Sequence, residues 1–379
     1  MKKEETFHFF HEKWCTSDFH PSDEICETKN LRFATYNVLC SNLWIERKIS
    51  SDTERFKYQL ENLLPNLNID ILGLNEISKE YIDLLMKTEW AKKYYLFNPN
   101  RDIFKERNGN LILSKFNIKC YSIDEIIKGR IVVVLIKFDK NRSFLVVSAH
   151  LSGYEENFKQ RKNELQKIID FIKSYNDSSD FDLKCFKEAV EQNNIIIMGD
   201  LNFHNDLEDK VIEKYGFVDL WTETRRDDWG FTWDTLTNPL INIRLPFDNR
   251  RMRLDRILLK EDSLLFEIDK KEKMEIFGKE KIYTHKTWSF LMPSDHFGLH
   301  VKLALKTNQM KSALSNKIIT KTDYPNLKVK PKYRGWKKIV FYRVIASVFI
   351  AYVIFMLVKI LMGFMFFDEI KFPIKQLLN

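Results

Sequence analysis

The chain has 379 residues, 44% of them hydrophobic, and a formal net charge of +8. This length and hydrophobic content allow one large domain or two small ones, and they exclude disorder of the whole chain. Five scattered cysteines favour a reducing compartment over a disulfide framework or a zinc site, and the N-terminus lacks the apolar run of a secretory signal.

The predicted elements follow one another without an internal repeat. Residues 1–30 show no clear period and are interpreted as a polar leader of uncertain order. Apolar runs predict strands at residues 32–39, 69–74, 110–113, 131–138, 143–149, 195–200, 252–259 and 298–305. Helical spacing predicts helices at residues 55–67, 81–90 and 160–175. Strands outnumber helices, so we predict an α/β fold: a two-sheet sandwich of mostly antiparallel strands flanked by helices.

The run Ile195-Ile196-Ile197-Met198-Gly199-Asp200-Leu201-Asn202 is the stretch around which the other elements can be arranged. An unbroken apolar run is typical of a central strand buried on both faces. Asp200 and Asn202 come just past its end, where buried sheets usually display their chemistry. A turn explains Gly-Asp-x-Asn equally well, but several other predicted strand ends carry the same kinds of groups.

The character of the chain changes after residue 306. Residues 307–338 form a basic linker with nine lysines and arginines against one aspartate, a composition suited to anionic lipids. Residues 339–367 predict a transmembrane helix. The apolar stretch 344–367, which Lys359 interrupts, would be about 36 Å long as a helix, enough to cross a bilayer core of about 30 Å. A buried core helix is the alternative. With only the tail 368–379 beyond the span, the positive-inside rule predicts a single-pass tail anchor whose N-terminal domain faces the cytosol.

The polar groups at the predicted strand ends form one candidate site. They are Asn37, Glu76, His150, Asp200, Asn202, Asp255, Asp295 and His296. Each has an ordinary explanation when taken singly, and a lone histidine beside a strand is more often structural. Together they suit one chemistry, because carboxylate oxygens bind Mg²⁺ or Mn²⁺ while imidazoles and amides bind phosphate oxygens.

Short motifs containing these residues resemble, in number and order, those of the endonuclease/exonuclease/phosphatase superfamily. They are Tyr36-Asn37, Asn75-Glu76, Asn110 to Lys115, Ala149-His150-Leu151, Gly199 to Asn202, Arg253-Leu254-Asp255 and Ser294-Asp295-His296. The resemblance covers residues 31–306 and implies a DNase I-like catalytic domain. Three stretches (231–235, 253–257 and 293–299) are most similar to the group that cleaves the bond between a topoisomerase tyrosine and a DNA 5′-phosphate.

The resemblance implies roles for three of the carboxylates. Glu76 is expected to bind the metal, Mg²⁺ or Mn²⁺, with Asp295 nearby. Asp200 is expected to position or activate the attacking water, or to stabilise the transition state. The expected mechanism is in-line attack of water at phosphorus without a covalent intermediate.

The remaining site residues are expected to hold the phosphate. The resemblance implies that Asn37 and Asn202 fix phosphate oxygens and the catalytic aspartate. His296 would contact the phosphate, with Asp255 fixing its tautomer and charge. His150 would stabilise developing negative charge.

An arginine-rich stretch next to Asp255 supplies the candidate substrate contacts. Its members are Arg244, Arg250, Arg251, Arg253 and Arg256. They form either a solvated strand edge or a phosphate-tracking groove, to which we assign Arg251, Arg253 and Arg256. Trp233 is either a core residue or a stacking wall for a base or a tyrosine, and the resemblance favours the wall.

Departures from the family pattern leave three functions open. Tyr36-Asn37 and Asn75-Glu76 replace the typical Trp-Asn and Gln-Glu but keep the second residue of each motif. The predicted membrane span is the larger departure. The first function is hydrolysis of a 5′-tyrosyl-DNA or related nucleic-acid phosphodiester by a monomer. The second is a lipid phosphodiesterase resembling the membrane-held neutral sphingomyelinases, and the third is a catalytically dead membrane adaptor.

Overall fold

A computed structural model describes residues 2–17, 28–41, 44–98, 101–106, 108–139, 142–174, 181–204, 206–245, 247–282 and 291–306. The chain divides into two units, Met1–Lys317 and Ile318–Asn379, and the described residues all belong to the first. The predicted basic linker, transmembrane helix and tail lie outside the described residues. Within the described ranges, the helices are too short or too polar to cross a bilayer.

The strands of the described part are β1 (Lys2–Glu4), β2 (Thr6–Phe10), β3 (Lys13–Ser17), β4 (Asn30–Asn37), β5 (Ile71–Ile77), β6 (Tyr95–Phe97), β7 (Gly109–Ser114), β8 (Ile118–Ser122), β9 (Ile131–Asp139), β10 (Arg142–Ala149), β11 (Ile195–Asp200), β12 (Phe217–Asp219), β13 (Trp233–Asp234), β14 (Arg251–Met252), β15 (Asp255–Lys260), β16 (Phe266–Glu267), β17 (Glu275–Phe277) and β18 (Gly298–Leu305).

The α-helices of the same part are α1 (Trp44–Ile49), α2 (Asp52–Tyr58), α3 (Lys79–Leu85), α4 (Ile103–Glu106), α5 (Phe158–Lys173), α6 (Phe181–Glu191), α7 (Asp206–Lys214), α8 (Leu220–Thr224) and α9 (Pro239–Arg244). A π-helical turn (Gln59–Leu63) and a 3₁₀ turn (Leu64–Leu67) continue α2 without a break. Further 3₁₀ turns lie at Ala91–Lys93 and Glu155–Asn157.

Two large sheets and a small ribbon contain these strands. The first sheet has the order β1-β8-β9-β10-β11-β15-β12, and the second has the order β16-β18-β4-β5-β7-β6-β2-β3 with β17 also paired to β18. The ribbon pairs β13 with β14. Among the described strands, the parallel pairs are β4–β5 and β10–β11, and the other pairs are antiparallel. The predicted α/β fold with mixed sheets and flanking helices is confirmed.

The central strand β11 is buried on both faces. Its Ile196 and Met198 belong to the core that also contains Phe33 of the other large sheet. Ile195 and Ile197 belong to a second core, formed with the apolar side of α5 and with residues of α6. The strand therefore reads as a continuous apolar run rather than as an alternation, because neither face meets water.

Three predicted elements differ from the structure. The leader contains strands at residues 2–17, and β1 and β2 pair with β8 and β6 of the two large sheets. These strands have only three to five residues, too few to show a period. The predicted strand 252–259 is divided into β14 and β15, and the predicted helix 81–90 ends at Leu85.

Strand directions bring the candidate site residues to one edge of the sandwich. β4 and β5 run parallel and end near Asn37 and Glu76, while β10 and β11 run parallel and end near His150 and Asp200. β15 is antiparallel to β11, so it begins at this edge, with Asp255 opposite Asp200. β18 likewise starts beside the end of β4, directly after the loop 293–297.

Candidate active site

Asp200 lies at the centre of the site and is almost fully buried. Its Oδ2 accepts a hydrogen bond from Asn37 Nδ2 at 3.1 Å, and its Oδ1 accepts one from the backbone N–H of Asn202 at 3.1 Å. Oδ2 also lies 3.6 Å from Nε2 of His150 and 3.7 Å from Nε2 of His296. Burial raises the pKa of Asp200, which makes its carboxylate a stronger base than one in water.

Asn37 connects Asp200 to Glu76. Its Nδ2 donates to Glu76 Oε1 at 3.1 Å as well as to Asp200, and its Oδ1 accepts from the backbone N–H of Leu39. Glu76 has a φ of 55°, and the pairing register of β5 shifts between Leu74 and Ile77. This bulge turns Glu76 toward Asp200. The side chain of Glu76 is 26% exposed and is more accessible than those of Asn37 and Asp200.

Gly199 allows β11 to approach the end of β10 closely. A Cβ at this position would lie 2.0 Å from the carbonyl oxygen of Ala149, and the φ of 140° is unfavourable for other residues. The close approach sets the separation of His150 and Asp200. The backbone carbonyl of Asp200 accepts from the N–H of Leu151 at 3.0 Å. Glycine before Asp200 is thus required by the geometry of the site.

The two histidines of the site have opposite electrostatic environments. Burial disfavours the charged form of His296, but Asp255 and Asp200 outweigh it and raise its pKa to about 10. Burial lowers the pKa of His150 to about 4, and Asp200 only partly opposes this. At neutral pH His296 is therefore an imidazolium, while His150 is a neutral imidazole.

Hydrogen bonds and an ion pair hold successive residues of the loop 293–297 to different parts of the fold. The side chain of Ser294 donates to the carbonyl of Asn37 at 2.7 Å, and the carbonyl of Ser294 accepts from Asn238 at 2.8 Å. Asp295 forms an ion pair with Arg244, the last residue of α9. Burial alone would raise the pKa of Asp295, but Arg244 and His296 outweigh it and lower that pKa.

Glu76, His150 and Asp200 fit a divalent cation. Each offers a ligand atom, and these atoms lie within 4.8 Å of one another. Two of them are carboxylate oxygens, the donors that Mg²⁺ and Mn²⁺ prefer. Among the described residues a second group contains Asp200, Asp255 and His296, and neither group includes Asp295. The metal-binding role of Glu76 with Asp295 stays a prediction, and in this structure Asp295 is engaged by Arg244.

Trp233 packs mainly as a core residue. Its side chain is 7% exposed and belongs to a small cluster with Ile241, Met252 and Leu254. Its ring also lies edge-on to the ring of His296, with centroids 5.1 Å apart. The burial of the ring agrees with the core interpretation of Trp233. Its contact with His296 also puts the edge of the ring beside the site, as the wall interpretation expects.

The arginine-rich stretch does not form a continuous exposed groove. Arg256 is buried, with its Nε 3.2 Å from Asp219, and Arg253, 11% exposed, donates to the same carboxylate. This burial favours a structural role for both and argues against the predicted phosphate contacts. Arg251 is 40% exposed, and Asp234 holds its guanidinium in a two-point pair at 2.8 and 2.9 Å. Arg251 remains the accessible candidate for a phosphate.

Several supporting side chains were not predicted from the sequence. Asn75 accepts from the backbone N–H of Asp200 at 3.1 Å and donates to Ser148. The side chain of Asn202, a predicted site residue, donates instead to the carbonyl of Leu151 at 2.9 Å. Thr232 Oγ1 accepts from the backbone N–H of Asp255. Asn75 belongs to the motif Asn75-Glu76, but its partner Asp200 lies 125 positions away in the sequence, so the contact could not be predicted.

Residues 34–296 match the model of the Endonuclease/Exonuclease/phosphatase family. No curated protein matches the sequence. The match to the family model contains every predicted catalytic and metal-binding residue.

Solved structures share the fold over about three quarters of the chain. Truncated TDP2 of Caenorhabditis elegans is 19% identical with a TM-score of 0.51, and the alignment covers 73% of this chain and 97% of that chain. TDP2 of D. rerio, complexed with a single-strand DNA product, is 17% identical with a TM-score of 0.51, covering 72% and 98%. An endonuclease/exonuclease/phosphatase family protein from Bacteroides thetaiotaomicron is 16% identical with a TM-score of 0.50, covering 73% and 98%. Identities this low show a common fold.

Proposed function

The chain belongs to the endonuclease/exonuclease/phosphatase family, and from this membership and the site geometry we propose that it is a metal-dependent phosphodiesterase. The observation that carries the proposal is the convergence of Asn37, Glu76, His150 and Asp200 on one edge, each from a different strand end. This intact constellation argues against a catalytically dead adaptor.

Glu76 is the carboxylate that would hold Mg²⁺ or Mn²⁺, with Asp295, paired with Arg244 in this structure, as the predicted second ligand. The bound cation supplies Lewis-acid stabilisation of the phosphate charge. Nε2 of His296, 3.7 Å from Asp200 Oδ2, is the proposed donor for a phosphate oxygen, and the amide of Asn37, which donates to both Glu76 and Asp200, holds those two carboxylates in place. Because His296 stays protonated at neutral pH, it provides a fixed positive charge rather than a mobile proton.

Water is the proposed nucleophile. The raised pKa of Asp200 suits it to orient a water and accept its proton, and the backbone N–H of Asn202 fixes the carboxylate for this role. The hydroxyl of Ser294 donates to the carbonyl of Asn37, and this structural hydrogen bond argues against Ser294 as a nucleophile in place of water. The attack forms a P–O bond to the water oxygen as the P–O bond to the leaving oxygen breaks. Asp200 accepts the proton of the water, and the leaving oxygen takes up a proton from solvent, so no covalent intermediate is needed.

A 5′-tyrosyl-DNA or related nucleic-acid phosphodiester is the proposed substrate. The edge-on contact of Trp233 with His296 gives the proposed phosphate position an aromatic neighbour, which supports a base or a tyrosyl leaving group as part of the substrate. The exposed guanidinium of Arg251 suits a further phosphate. The D. rerio structure of the same fold contains a single-strand DNA product, which supports the same class of substrate for this chain.

We also propose that residues 339–367 anchor the protein in a membrane, with residues 307–338 on anionic lipids and the catalytic domain in the cytosol. β18 starts beside the site and ends at Leu305, about 26 Å farther along eight extended residues. Leu305 thus lies at the end of β18 remote from Asp200. The anchor does not require a lipid substrate, because tethering raises the local concentration of an enzyme without altering its site.

The test compares substrates with a purified fragment of residues 1–306. We expect Mg²⁺-dependent release of tyrosine from a 5′-tyrosyl oligonucleotide and little hydrolysis of sphingomyelin in mixed micelles. An Asp200→Asn fragment is the matched inactive control, since asparagine keeps the shape and loses the base. Efficient hydrolysis of sphingomyelin without cleavage of the 5′-tyrosyl oligonucleotide overturns the nucleic-acid assignment.

A further inference from the structure

Two buried side chains on the helix that begins at Asp52 donate to the same two carbonyl oxygens. Arg55 Nη1 donates to the carbonyls of Val38 and Pro293 at 3.0 Å each. Gln59, four residues later and so on the same side of the helix, donates through Nε2 to the same carbonyls at 3.1 and 2.5 Å. Arg55 and Gln59 are both fully buried.

The two carbonyls belong to the two segments that carry opposite sides of the active site. Val38 directly follows Asn37, the amide donor at the end of β4. Pro293 opens the loop that carries His296, and it lies 238 positions from Arg55 in the sequence. The donor pair of Arg55 and Gln59 is thus a cross-link between the Asn37 segment and the His296 loop.

We propose, on the basis of the phosphodiesterase function proposed above, that Arg55 and Gln59 are positioning residues that set the separation between Asn37 and His296. Neither contacts the proposed phosphate position. They act through the backbone of two segments: one carries Asn37, which holds both carboxylates, and the other carries His296, the proposed phosphate donor. Displacing a reacting group by about 1 Å can lower a rate by about 100-fold.

The remaining donors of Arg55 show why lysine cannot replace it. Its Nε donates to the carbonyl of Ser50 at 2.7 Å, and its Nη2 donates to the carbonyl of Leu39 and to Asp52, both at 2.6 Å. The planar guanidinium therefore holds four backbone carbonyls in one fixed geometry. An ammonium has three donors on a flexible stem and cannot reproduce that geometry.

The sharing of acceptors predicts how the variants combine. When Gln59→Met removes one donor, Arg55 still holds both carbonyls, and Arg55→Lys leaves Gln59 to hold them. Each single variant should therefore lower kcat by about 3- to 10-fold, while the double variant should lower it by more than the product of the two, with KM changed less than threefold. Because unfolded protein also lowers the apparent kcat without changing KM, kcat is expressed per folded molecule, with the folded fraction taken from the unfolding curve.

The experiment measures kcat, KM and denaturant unfolding for the full-length wild type, the two single variants and the double variant, on a 5′-tyrosyl oligonucleotide. Asn194→Leu is the control for Gln59. Asn194 precedes β11 at the end remote from Asp200, and its buried amide donates to the carbonyl of Ser143. Arg101→Lys is the control for Arg55, since Arg101 is a buried arginine paired with Asp124.

We expect both controls to lose stability while keeping kcat per folded molecule. A double variant whose loss equals the product of the single losses, or variants whose kcat matches that of the controls, would overturn the positioning role. Failure of the wild type to cleave this substrate would instead count against the proposed function itself.

Discussion

Asp255 Oδ2 lies 2.8 Å from Nδ1 of His296, and both side chains are buried. The hydrogen bond turns Nε2 of His296 toward Asp200 Oδ2, 3.7 Å away. It also stabilises the imidazolium, so that His296 is charged at the same pH at which His150 is neutral. One site therefore holds two histidines in different protonation states, each with a cause in its surroundings.

The first prediction concerns the pH dependence of stability in the metal-free protein. The pKa of His296 is raised from 6.5 to about 10, so its pairing stabilises the folded state fully below about pH 6.5 and is lost as the pH rises through about 10. The free energy of unfolding, measured in urea at pH 7 and pH 10, should fall over this range. Asp255→Asn should lower the pKa of His296 and flatten the fall. An equally steep fall in Asp255→Asn would show that other groups cause it.

The second prediction concerns catalysis by the same pair. If Asp255 acts only by orienting and charging His296, then Asp255→Asn and His296→Ala remove one function. The double variant should then be little slower than the slower single variant. Rates of 5′-tyrosyl hydrolysis for the four proteins give the coupling directly. Losses in the activation barrier that simply add would mean that the two residues act separately.

The third prediction concerns the metal. Glu76→Gln keeps an oxygen that can accept from Asn37 but removes the charge that a divalent cation needs. Mn²⁺ binding, followed by electron paramagnetic resonance, should weaken by at least about tenfold, and turnover in Mg²⁺ should fall by orders of magnitude. His8→Gln, at a histidine in β2, is the control and should bind Mn²⁺ like the wild type. Full wild-type turnover in excess chelator would contradict metal dependence.

The sequence predicted the elements that carry the site better than it predicted the contacts between them. Long buried strands such as β11 were recognised because burial on both faces leaves an unbroken apolar run. The ion pair of Arg244 with Asp295 was not predicted, because it joins a short helix to a loop 51 positions away. Arg253 and Arg256 were assigned to a groove because charge alone does not show that Asp219 lies beneath them.

The fourth prediction concerns the anchor. Residues 1–306 should fold and remain active, because β18 ends at Leu305 and the backbone N–H of Lys306 donates to the carbonyl of Leu265 at 2.9 Å. Residues 307–379 fused to a reporter should bring it to membranes, and Lys359→Leu should leave this unchanged. Extraction of the full-length protein by carbonate or high salt would rule out a spanning segment and leave only electrostatic binding by the basic linker.

The last prediction separates Arg251 from Arg253, two neighbours that the sequence treated alike. The guanidinium of Arg251 is oriented by Asp234, lies 4.5 Å from the Phe231 ring centroid and stays 40% exposed, so it can reach a phosphate of a bound strand. Arg251→Ala should weaken binding of a single-stranded oligonucleotide and reduce the slope of log K against log salt by about 0.7. Arg253, by contrast, donates to buried Asp219 and is 11% exposed. Its replacement by alanine should lower the free energy of unfolding and leave the salt slope unchanged. Fluorescence anisotropy at several salt concentrations, with urea unfolding of the same proteins, measures both effects. An unchanged slope in Arg251→Ala, or a reduced slope in a fully stable Arg253→Ala, would reverse the assignment of the two arginines.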